Sequence, residues 1–170
     1  MIKSIRIAIA LPVISWLVSL LVVSTAGAEV ADVIRISKTS RTSVEANGST
    51  FGVRVTPDGR YAAIQSSASN LVSGDNNLTS DIFLLDRQTG AMSLVSVSSS
   101  GEQGNSASQD PVISSDGKYI LFTSRASNLV ENDTNEVADI FIHDNQNGET
   151  TRVSVSSDGT QANDESAEAR

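Results

Sequence analysis

An all-β fold is predicted by three features of the sequence. The first is an internal repeat: residues 53–110 align without a gap on 111–168, with 26 identities in 58 positions. Ala68-Ser69-Asn70-Leu71-Val72, Asp75, Asn77 and Asp81-Ile82-Phe83 return 58 residues later as Ala126-Ser127-Asn128-Leu129-Val130, Asp133, Asn135 and Asp139-Ile140-Phe141. The second is the rhythm of short runs of Val, Ile, Phe, Tyr and Thr between Asp-Gly and other turn signals, which reads as strands and hairpins. The third is that no stretch after residue 29 joins helical periodicity to helical length. A repeat of this size built from short strands points to a propeller or a solenoid rather than one undivided core.

The chain of 170 residues opens on a segment outside this pattern. Lys3 and Arg6 give a basic start, 7–23 is mostly apolar, and Ala26-Gly27-Ala28 supplies small residues for a cleavage site. Residues 1–28 are therefore read as a secretory signal cut after Ala28, placing the mature chain in the periplasm or outside the cell. A retained membrane anchor is the rival, because the apolar run approaches the length of a span. Pro12, Ser15, Ser19 and the small triplet favour cleavage. No cysteine follows the run, which excludes a lipid-anchored lipoprotein, and with no cysteine anywhere there is no disulfide or thiolate metal site. Lys3 and Arg6 leave with the signal, so the formal charge of −8 becomes −10. Such a chain is repelled by phosphate backbones and anionic lipid, so nucleic acid is not an expected partner. Cations or a basic protein surface are.

Residues 29–52 hold a short strand, Val33–Ser37, and then a linker rich in Ser, Thr, Asn and Gly. That strand resembles the last strand of a repeat and reads as the end of an incomplete preceding unit. The repeats 53–110 and 111–168 then offer four strands each. The first is Val53–Thr56 or Val112–Ser114, closed by an Asp-Gly turn at 58–59 or 116–117, where glycine tolerates a positive φ. The second is Arg60–Ser66 or Lys118–Ser124. The third is Asp81–Asp86 or Asp139–Asp144. The fourth is Ser93–Ser98 or Thr151–Ser156. Four short antiparallel strands make one propeller blade, so two full blades and a stray strand are expected.

A usual blade of this kind takes about 40–45 residues. The surplus lies between the second and third strands, at 67–80 and 125–138. In an up-and-down sheet those excursions and the blade-to-blade linkers fall at one end. That end collects Asp75, Asp81, Glu102, Asp110, Glu131, Asp133, Glu136, Asp139, Asp158, Asp164, Glu165 and Glu168, with Arg125 as its only obvious base.

Ser115-Asp116-Gly117-Lys118-Tyr119-Ile120-Leu121-Phe122, Pro57-Asp58-Gly59-Arg60-Tyr61 and Asp139-Ile140-Phe141-Ile142-His143-Asp144 resemble the WD40-like (PD40-type) repeat of TolB-like β-propellers. The Ser-Asn-Leu-Val excursion followed by Asp-x-Asn resembles a longer variant found in secreted bacterial proteins. The resemblance covers about residues 53–157 and implies a propeller used as a binding scaffold outside the cytoplasm. Closed propellers typically need 4–8 blades. Two would leave open edges and apolar flanks, so an incomplete propeller is expected, either part of a longer chain or self-associating through its blade edges.

Asp75-x-Asn77-x-x-x-Asp81 and Asp133-x-Asn135-x-x-x-Asp139 are the candidate metal ligands. Oxygen donors from Asp and Asn at alternate loop positions suit a hard cation such as Ca²⁺. Neither copy has the glycine and terminal glutamate of a full calcium loop, and the competing reading is that these side chains brace the turn through Asx-type bonds. Asn70 and Asn128 read as turn formers. Phe83, Phe141, Tyr61, Tyr119 and Phe122 read as core between blades. His143 is the only histidine and aligns with Leu85, so no repeated chemistry depends on it. There is no nucleophile elbow or phosphate-binding glycine loop. The expected function is non-catalytic, binding a protein or an envelope component. A calcium-stabilised adhesive repeat, or the accessory propeller of a larger hydrolase, are the rivals.

Overall fold

A computed structural model describes residues 45–166. The signal segment and the Val33–Ser37 strand lie outside them. Eight strands build two separate four-stranded antiparallel sheets, each in simple sequential order. The first holds β1 (Thr50–Val55), β2 (Tyr61–Ser66), β3 (Asp81–Asp86) and β4 (Ala91–Leu94). The second holds β5 (Ser108–Ile113), β6 (Tyr119–Ser124), β7 (Asp139–Asp144) and β8 (Thr150–Arg152). Among the described residues there is no helix. These are two blades.

The third strands fall where the sequence puts them. The inner and outer strands do not. β1 and β5 begin at Thr50 and Ser108, earlier than 53 and 112 and inside stretches read as linker. Their first residues pair with the ends of β2 and β6, and an irregularity follows in each, between Thr50 and Gly52 and between Gln109 and Val112. That bulge breaks the alternation by which a strand is recognised. β4 and β8 end at Leu94 and Arg152, well before Ser98 and Ser156. Beyond Leu94 the chain leaves the ladder, with Val95 N and Ser96 N both donating to Ile82 O at 2.8 and 3.4 Å.

The Asp-Gly turns form as expected, with Gly59 and Gly117 both at φ 72°. Gly117 has a second constraint. A Cβ there would lie 2.2 Å from Tyr61 Cδ2, so the turn of the second blade closes on an aromatic ring of the first. At the same end Arg60 pairs with Asp86 at 3.1 Å and Lys118 with Asp144 at 3.5 Å, each cation also lying over the neighbouring Tyr61 or Tyr119 ring.

Strand alternation sends two apolar sets to opposite faces of each sheet. Ala63, Ile82, Leu84 and Val95 of the first blade meet Ile120, Phe122, Ala126, Leu129 and Phe141 of the second in one buried cluster. Phe122 and Phe141 stack within it, centroids 5.9 Å apart. The other face of the first blade forms a second cluster of Ala62, Ile64, Ala68, Leu71 and Phe83. Leu71 and Leu129 are the residues that draw the long excursions onto the blades, as their apolar character predicts. The outer face of the second blade is more open: Leu121, Ile140 and Ile142 are half-buried, and Val153 is 42 % exposed.

Candidate functional site

The excursions at 67–80 and 125–138 are held by their linkers, and by the same bonds in both copies. Asn47 N donates to Asn70 Oδ1 at 3.0 Å and Asn47 Nδ2 to Ser69 Oγ at 2.9 Å, while Ser69 N returns a bond to Asn47 Oδ1 at 2.9 Å. Asn105 repeats all three bonds on Asn128 and Ser127. Asn70 and Asn128 are thus more than turn formers, since each Nδ2 also donates to a linker carbonyl, Glu45 O or Gln103 O. The repeating structural unit therefore begins near residue 45, ahead of the repeat boundary read at 53.

The six candidate ligands come together as two equivalent groups, each organised by a glutamine from the following linker. In the first blade Gln103 Nε2 donates to Asp75 Oδ1 at 2.8 Å and to Asp81 Oδ2 at 3.1 Å. Ser96 Oγ donates to Asp81 Oδ1 at 2.6 Å. Asn77 Oδ1 accepts from Thr79 N at 3.0 Å and its Nδ2 donates to Gly104 O at 2.8 Å. In the second blade Gln161 Nε2 reaches Asp133 Oδ1 at 2.7 Å and Asp139 Oδ2 at 3.1 Å, and Ser154 Oγ reaches Asp139 Oδ1 at 2.6 Å. Asn135 braces its turn through Val137 N and bonds Ala162 O. The Asx-type bracing and the convergence of carboxylates are both present. Among the described residues no cluster of three or more His, Asp or Glu has the geometry of a metal site.

The two groups differ in one residue. Arg152 NH1 lies 3.3 Å from Asp133 Oδ1 and 3.6 Å from Asp139 Oδ2. The position 58 residues earlier is Leu94. Arg152 is a base at the loop end that the sequence reading passed over in favour of Arg125, which pairs with the exposed Glu165. Gln103, Gln161, Ser96 and Ser154 were also missed, although each pair is identical across the repeat and that identity was the available signal.

Asp81 and Asp139 are fully buried, so neither adds to the surface acid of this end. Burial pushes the Asp81 carboxyl up to about 6; the Ser96 hydroxyl opposes the shift and the Asp75 charge adds to it. The folded value lies above the unfolded one. Stability from this group is thus fully present below about pH 4 and is lost as pH rises through about 6. Keeping Asp81 ionised at neutral pH costs on the order of 2–3 kcal/mol. Carboxyl-carbon NMR of ¹³C-aspartate-labelled protein should find one aspartate titrating near pH 6. Every aspartate titrating below pH 5 would contradict the assignment.

His143 has its pKa lowered by burial. Thr150 Oγ1 donates to Val97 O at 2.6 Å, so it accepts from His143 Nδ1 at 2.9 Å, which fixes the proton on Nδ1. That chain ties the outer strand of the second blade to the first. It is a packing role.

No family model matches the chain, and no curated protein matches it. Among solved structures, one assigned to TolB from Agrobacterium tumefaciens is similar at 16 % identity and a TM-score of 0.39. The match covers 62 % of this chain and 33 % of that one, so the chain spans about a third of the length of that protein.

Proposed function

We propose that the chain is a non-catalytic binding module of TolB-like propeller type, exported by cleavage after Ala28, and that its loop end receives a protein or an envelope component. The observation that carries this reading is the bracing of both excursions. Side-chain bonds from the linkers hold the loop backbones in place, whereas the tips stand out in solvent. Leu78 is 82 % exposed in a left-handed backbone conformation, φ 59°, and the equivalent Glu136 shares that conformation at φ 58°. A surface fixed before contact loses little conformational entropy on binding. The net negative charge of the chain favours a basic partner and fast, salt-sensitive association.

The test is cross-linking in the native host, comparing wild type with a triple variant at the exposed tips, Leu78→Ser, Glu131→Lys and Glu136→Lys. Melting curves should match to within a few degrees, because none of the three is buried. A cross-linked species present with wild type and lost with the variant is the expected result. A species that survives the substitutions, or fractionation that leaves the chain in the cytoplasm with residue 29 internal, overturns the proposal.

A further inference from the structure

The second blade repeats, on its outer face, the side chains that the first blade buries against it. Tyr61, Ala63, Ile82, Leu84 and Val95 of the first blade pack into the cluster shared by the two sheets. The positions 58 residues further on are Tyr119, Leu121, Ile140, Ile142 and Val153. None of the five has been exchanged for a more polar residue, and Leu121 is larger than its counterpart Ala63. Only the cover differs. Val95 is 1 % exposed and Val153 is 42 % exposed, while Leu121, Ile140 and Ile142 are half-buried where their counterparts are buried.

An antiparallel sheet face that meets only water alternates to polar side chains. This one does not. The covered face of the first blade holds one long polar side chain, Gln65, whose Oε1 accepts from Asp110 N of β5 at 3.2 Å and so ties the two sheets together. Its counterpart in the second blade is the smaller Thr123, which is 1 % exposed. The cations at the two ends of β6, Lys118 and Arg125, are already paired, with Asp144 and Glu165. Neither end of that strand therefore presents an unpaired cation beside the apolar surface.

We propose that the outer face of the second blade docks a second copy of this chain through the same face, as a two-fold dimer. The first blade shows what covers such a face: the apolar face of another blade of this repeat. A second copy has one such face to offer. The remaining face of its first blade is closed at the centre, where Ala62, Ile64 and Phe83 are at most 1 % exposed. Head-to-tail stacking needs two different open faces and is blocked for that reason. Pairing of one face with itself gives a closed, isologous dimer. Leu121, Ile140, Ile142 and Val153 form its centre, and their removal from water supplies the attraction. The contact uses a flank of the blade and not its loop end, so it stands apart from the scaffold reading.

The experiment is sedimentation equilibrium of the full chain, as isolated from its host, over a range of protein and salt concentrations. One sheet face is small for an interface, so half of the chains should be dimeric only at about 0.1 mM. The net negative charge sets copy against copy, so NaCl should strengthen the dimer, the reverse of its effect on a basic partner at the loop end. Val153→Glu, at an exposed position where folding is spared, and Ile142→Glu should each weaken the dimer by about tenfold or more. Melting curves identify a variant that has failed to fold, and Val153→Glu decides if Ile142→Glu is lost in that way. Leu78→Ser, at the loop end, should leave the dimer unchanged. A chain that stays monomeric up to about 1 mM, a ladder of trimers and larger species, or a dimer that survives Val153→Glu would each overturn the proposal.

Discussion

Replacing Arg152 with alanine is expected to cost about 3 kcal/mol of folding stability. Both carboxylates that it faces are nearly or wholly out of solvent, with side-chain exposures of 5 % for Asp133 and 0 % for Asp139. Removing one member of a buried ion pair leaves uncompensated charge, which typically costs about 3–5 kcal/mol. The lower end applies for two reasons. Gln161 and Ser154 still donate to Asp139 when the arginine is gone. The first blade also folds around the equivalent pair, Asp75 and Asp81, with Leu94 in place, its Asp81 carboxyl pushed up by burial. Urea unfolding of the full chain measures the loss directly. Arg152→Lys keeps the charge without the planar fork that reaches Asp133, Asp139 and Asn132 together, and should fall between alanine and wild type. A loss for alanine below about 0.5 kcal/mol, the size of an exposed pair, would show that the guanidinium does not neutralise Asp133 and Asp139.

What could be read in advance follows from what repeats and what alternates. β3 and β7 were legible to the residue because their side chains alternate between two buried faces and both ends carry Asp. β1 and β5 were only half legible. β1 opens on Thr50-Phe51-Gly52, with Phe51 exposed, and β5 on Ser108-Gln109-Asp110, so neither start shows the alternation of apolar residues that marks a strand, and a bulge interrupts each. The fourth strand was misread for the opposite reason. Ser93 to Ser98 alternates as a strand should, but Ser96 turns inward to Asp81 and the ladder has already ended. Asp75, Asn77 and Asp81 stood out because they recur with an oxygen-donor spacing. Gln103 and Ser96 recur as well, yet they lie in stretches whose composition signals linker and outer strand. Arg152 was hidden by the logic that found the others, since a search for identity between repeats discards the position where they differ.

The second large effect tests whether the blades stand together. Phe141→Ala is expected to destabilise the chain by about 3–5 kcal/mol. Phe141 is fully buried and stacks on Phe122 in the cluster that draws on both sheets. In a repeat protein each unit has its own stability plus an interface term with its neighbour. Phe141 contributes to both, because the face of β7 that carries it is also the face turned to Ala63, Ile82 and Leu84 of the first blade. The Gly117–Tyr61 closure and the chain from His143 through Thr150 to Val97 O join the sheets at two more places. The variant should therefore unfold in a single transition at lower urea with an unchanged slope, rather than lose one blade and keep the other. Since the loss could approach the whole stability of a small domain, about 5–15 kcal/mol, Phe141→Leu serves as the graded case, at about 1–2 kcal/mol. Two separated transitions in either variant would mean that the interface is weaker than its buried aromatic pair implies, and that each blade holds its own loop without help from the other.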